Sequence, residues 1–119
     1  MTRSKWWWIV VAYATAVFIV SVIPVTPTVS LPHLDKLVHL CEYLLFAWLL
    51  MQALRTSQFH EPVFGLWAWI YATSYGVLME LVQAMVPWRS ASLIDIAMNA
   101  VGATLGVWIG QRWPRGRVG

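Results

Sequence analysis

Two short stretches hold almost all the side chains that could do chemistry in an otherwise apolar chain. The first carries Asp35, Lys36, His39, Glu42 and Tyr43; the second carries Glu80, Gln83, Arg89, Ser92, Asp95 and Asn99. An imidazole can take or give a proton near neutral pH, and carboxylates beside it can orient it or supply acid and base. Arginine and lysine suit phosphate groups, arginine through its planar fork of donors. Placing such groups in hydrocarbon costs about 2.5–3.5 kcal/mol each unless they are paired, so ionisable residues there are functional candidates by default.

The elements that must position them follow from composition. Of 119 residues, 60% are hydrophobic and 11% charged, and the mean hydropathy is +0.65. That balance lies far from the soluble norm and defines an integral membrane protein. Four apolar segments, about 6–23, 37–54, 63–86 and 94–110, are long enough to cross a hydrocarbon layer that needs about 20 helical residues. No period-two alternation runs through them, and the chain is too short to close a sizeable lipid-facing barrel. Helices satisfy their own backbone hydrogen bonds in lipid, so the fold class is all-α, a four-helix transmembrane bundle forming one domain over 1–119. Arg3 and Lys5 precede the first segment as they would in a signal peptide. Its apolar run is long and no clean small-x-small site follows, so it reads as a retained helix.

Basic residues set the orientation. With the amino terminus inside, Arg3, Lys5, Arg55, Arg112, Arg115 and Arg117 are cytoplasmic, and only Lys36 and Arg89 are outside. This bias predicts both termini in the cytoplasm of a cytoplasmic (inner) membrane. Trp6, Trp7, Trp8 and Trp113 would form an inner aromatic belt, with Trp88 as an outer anchor. The net charge of +3 is then a topology signal and does not call for nucleic acid as a partner.

In that orientation both polar stretches fall in the outer third. Steps of three and four residues put Asp35, His39 and either Glu42 or Tyr43 on one face, Glu80, Gln83 and Pro87 on another, and Asp95, Asn99, Gly102 and Gly106 on a third. The three stripes are expected to face each other, with the 87–92 loop as a roof. Asp35 is expected to cap the second helix, and Ser92 or Asp95 the fourth. Two helix amino termini would then add positive potential suited to an anion.

The pattern Asp35-Lys36-x-x-His39-x-x-x-Tyr43, then Glu80-x-x-Gln83, then Pro87-x-Arg89-x-x-Ser92-x-x-Asp95-x-x-x-Asn99-x-x-Gly102-x-x-x-Gly106 resembles the VanZ-like family of small bacterial membrane proteins. The likeness runs over roughly residues 6–110. It departs at Trp88, where the family commonly has glycine before the arginine. The resemblance implies a cell-envelope role, because the family's namesake is associated with resistance to the glycopeptide teicoplanin.

Three functions are open from the residues. In the first, Lys36 and Arg89 hold the phosphate of an envelope lipid or lipid-linked precursor, while Asp35, Tyr43, Gln83, Ser92 and Asn99 help bind it. In the second, a membrane enzyme acts on such a lipid by phosphoryl or glycosyl chemistry, with His39 as base or nucleophile, Glu42 or Asp95 positioning it, and Glu80 as acid. In the third, the polar residues form only a structural interhelical network. Asp35, Glu42, Glu80 and Asp95 outnumber Lys36 and Arg89 by two, so a proton, a cationic His39 or a metal ion must balance the pocket. His39, Glu42, Glu80 and Asp95 could together hold a metal, but one histidine with mixed carboxylates matches no specific ligand spacing, so metal and cofactor stay open. Gly102, Gly106 and Gly110 are expected to pack within the chain, and Cys41 to lie in the core. His33, His60 and Glu61 are expected in solvated loops.

Overall fold

The computed structural model describes residues 3–22, 32–55, 61–87 and 93–112. Within them the chain forms four helices: α1 (Arg3–Val22), α2 (Pro32–Arg55), α3 (Glu61–Ala84) and α4 (Leu93–Arg112). At 1.5 Å per residue, helices of 20 and 24 residues are about 30 and 36 Å long.

Helix ends differ from the apolar segments where polar or proline residues extend a helix beyond its greasy stretch. α2 starts at Pro32, five residues before Leu37, because proline at the first helical position lacks only a donor that would have no partner there. His33, Asp35 and Lys36 are therefore helical, so His33 is not a loop residue and Asp35 is not the cap. α3 likewise takes in Glu61 and Pro62 at its start. It ends at Ala84, two residues short of the apolar segment, in a tightened turn where Met85 N–H donates to Val82 O and Val86 N–H to Gln83 O, both at 3.1 Å. Pro87 then disfavours a helical Val86. Asp95 is the third residue of α4 and so does not cap it, and Ser92 lies outside the described residues.

α2 is the central helix and packs against all three others, most extensively against α4. Small residues allow this closeness. A Cβ added to Gly102 would collide with the Leu40 carbonyl oxygen, one on Gly106 with the Leu44 carbonyl oxygen, and one on Gly110 would meet Met51 Sδ at 2.7 Å. The glycine ridge thus lies on α2 of the same chain, as expected, and sets the α2–α4 spacing. Beside it, Tyr43, Ala47, Leu50, Met51, Leu54, Ala68, Ala72 and Ala103 are buried.

α1 joins through aromatic and hydrogen-bonded contacts. Tyr13 stacks on Phe46 at 5.6 Å and donates its hydroxyl proton to the Glu42 carbonyl at 2.5 Å, and Tyr75 donates to the Ala14 carbonyl at 2.5 Å. Trp6, expected in the interfacial belt, is instead buried edge-on against Trp48 at 6.0 Å. Trp8 is 69% exposed, and Trp113 lies outside the described residues.

α1, α2 and α4 are each long and apolar enough to cross a membrane. α3 is as long as α2 but is not among them, so three of the four expected spans are supported among the described residues. The outer surface is studded with Val11, Phe18, Val20, Leu37, Leu66, Leu78, Leu81, Val101 and Leu105. Helices in water seldom expose such continuous apolar area, whereas lipid favours it.

Candidate functional site

The amino-terminal turns of α2 and α4 and the carboxy-terminal turns of α3 come together at one end of the bundle. One ligand atom from each of His39 on α2, Glu80 on α3 and Asp95 on α4 lies within 4.8 Å of the others. His39 Nε2 is 3.7 Å from Asp95 Oδ2. That separation is ion-pair range for a charged imidazole and too long for a direct hydrogen bond. Glu80 is 3% exposed and Asp95 8%, so both carboxylates sit in a low-dielectric setting.

The cluster is backed by uncharged polar groups on the same faces. Asn99, one turn after Asp95, is 2% exposed, and its Oδ1 has no hydrogen-bond partner among the described residues. Tyr43, one turn after His39, is also buried. Gly76, one turn before Glu80, makes room for both: a Cβ there would lie 3.0 Å from Asn99 Nδ2 and 3.2 Å from Tyr43 Cε2. Gln83 is buried and donates from Nε2 to the Ser21 carbonyl at 3.2 Å, tying the end of α1 to this end of α3.

The described residues bring His39, Glu80 and Asp95 together, with Tyr43 and Asn99 meeting at Gly76 beside them, while the Gln83 amide is turned to α1. Pro87 leaves its stripe, being exposed in the turn after α3. Of the two residues left open on α2, Tyr43 faces the cluster. Glu42 instead lines a shallow groove with Tyr13, Leu37, Val38, Cys41 and Leu45. Cys41 is exposed in that groove, which corrects its expected place in the core: at two residues from both His39 and Tyr43 it points away from the packed face. Lys36 is half-buried. Arg89, Ser92 and the Asp35 side chain lie outside the described residues.

Gly76 and Ser21 were not legible as site residues. Glycine carries no chemistry, and Ser21 contributes only its backbone carbonyl. The four-residue step from Gly76 to Glu80 is the one signal that could have placed Gly76 on the site face.

Chemically, two carboxylates and an imidazole from three helices can hold a cation, pass a proton, or orient a basic partner. The fold and cluster define a class, a helical membrane protein with a polar cluster buried among its helices. The model of the VanZ/LLP1 family matches residues 2–113, and the chain belongs to that family. No curated protein and no solved structure matches the chain.

Proposed function

We propose that this chain is a bacterial envelope protein of the cytoplasmic membrane that binds or handles the anionic headgroup of an envelope lipid or lipid-linked glycan. In this reading all four helices span, both termini are cytoplasmic, and the polar end opens to the outer leaflet. The convergence of His39, Glu80 and Asp95 within 4.8 Å carries it. Three ionisable groups brought to one point within apolar helices are costly and call for a function. Lys36 stands near the start of α2 in the same half of that helix as His39, and Arg89 belongs to the five-residue segment 88–92 between α3 and α4. Those two cations would hold the phosphate, and Gln83 and Asn99 would meet sugar or glycerol hydroxyls. Capturing or masking a lipid-linked precursor would connect such a site to glycopeptide resistance, teicoplanin included.

The test is photocrosslinking with a lipid probe bearing a phosphate headgroup. Arg89→Ala is expected to abolish labelling, and unchanged labelling would contradict the proposal.

The approach of His39 to Asp95 at 3.7 Å favours a second reading, a phosphoryl or glycosyl transferase or hydrolase. Asp95 would orient the imidazole as base, and Glu80 would act as acid. Turnover of a lipid-linked substrate that is lost in His39→Ala while probe labelling persists would support the enzyme over a binding protein.

A further inference from the structure

We infer that His39, Glu80 and Asp95 form a divalent-cation site for a first-row transition metal such as Mn2+ or Zn2+. The inference rests on the lipid-headgroup reading for its role and on geometry for its existence. Each of three helices supplies one ligand atom, and these atoms lie within 4.8 Å of one another. Ligands of one ion at about 2.0–2.2 Å from it lie roughly 3–4 Å apart, so small side-chain rotations bring all three onto one ion. One nitrogen and two oxygen donors are a borderline set that suits manganese or zinc.

Asn99 is the second, independent observation. It is 98% buried by its 2% exposure, stands one turn from Asp95 on the same buried face of α4, and its Oδ1 has no hydrogen-bond partner among the described residues. A buried amide oxygen without a donor is costly, and coordination to the ion or to its bound water would offset that cost.

Charge supports the assignment. A divalent cation with two carboxylates and a neutral imidazole sums to zero, the balance a low-dielectric pocket favours. The ion also reconciles an acidic cluster with an anionic ligand. Its remaining coordination positions accept a phosphate oxygen that the bare carboxylates would repel.

The test uses the full chain in detergent micelles, titrated with Mn2+ alone, with binding read by calorimetry and ligation by pulsed electron paramagnetic resonance. About one Mn2+ per chain is expected, with imidazole nitrogen coupling. Coupling should persist in the double variant His33→Gln with His60→Gln, leaving His39 as its source. Affinity should fall at least tenfold in Glu80→Gln and Asp95→Asn. Absence of stoichiometric binding, nitrogen coupling lost with His33 and His60, or unchanged affinity in both carboxylate variants would overturn the assignment. A retained Mn2+ site in protein that fails to label with the lipid probe supports the metal and contradicts the lipid reading. Labelling without Mn2+ binding does the reverse.

Discussion

At the scale of single residues, the decisive contrast is between a side chain that holds the bundle together and one that meets a ligand. Asp95 approaches His39 at 3.7 Å, a separation that suits an ion pair within the bundle as well as a pair that meets a ligand. Asp95→Asn and His39→Gln keep size and polarity, so both are expected to fold, with thermal midpoints in detergent within a few degrees of wild type, and to lose lipid labelling. Unfolding of both would assign the cluster to structure alone. Gly76→Ala makes the opposite prediction. Its Cβ would press Asn99 and Tyr43 at 3.0–3.2 Å, and both are fully packed side chains, so a loss of about 1–3 kcal/mol is expected from chemical or thermal unfolding. Stability equal to wild type would show that the two side chains can yield.

At the scale of elements, α2 and α4 are held by backbone proximity. Gly106→Val places branched carbon against the Leu44 carbonyl and should force the helices apart, lowering stability by about 3 kcal/mol or more and shifting no oligomeric equilibrium, because the ridge is covered within the chain. A dissociated dimer with an intact monomer fold would contradict that placement. The ridge, the four helices and the stripe from Asp95 to Asn99 were legible in the sequence because periodicity and residue size determine them directly. Helix starts were less so. Pro32 and Glu61 begin helices ahead of the apolar runs, where capping and first-turn preferences, and not hydropathy, decide the boundary. The choice between Glu42 and Tyr43 also escaped the pattern, since both lie within a turn of His39 and only the packing of Phe46, Tyr43 and Tyr75 selects the rotation of α2. The place of Trp6 in the core has the same origin, a partner, Trp48, on another helix.

At the scale of the whole molecule, one end of the bundle concentrates polar groups and the other is closed by different means. There Arg55 donates to the Gly110 carbonyl and Arg112 lies over the Trp108 ring at 5.0 Å. Cations near the ends of α2 and α4 favour the carbonyl-rich carboxy termini of those helices, and the proposed orientation puts this end in the cytoplasm. Reporter fusions at both termini are accordingly expected to be active only in the cytoplasm. A cysteine introduced at Ser90, in a Cys41→Ser background, should react with an impermeant thiol reagent from outside intact cells or spheroplasts. Reaction only after lysis would invert the orientation. The most direct test of the central claim is to map, by mass spectrometry, where a phosphate-headgroup photoprobe attaches to the purified chain. Adducts on the first turns of α2 and α4 and the last turns of α3, lost in Asp95→Asn, are predicted. Adducts spread along the exposed apolar faces and indifferent to Asp95→Asn would contradict it.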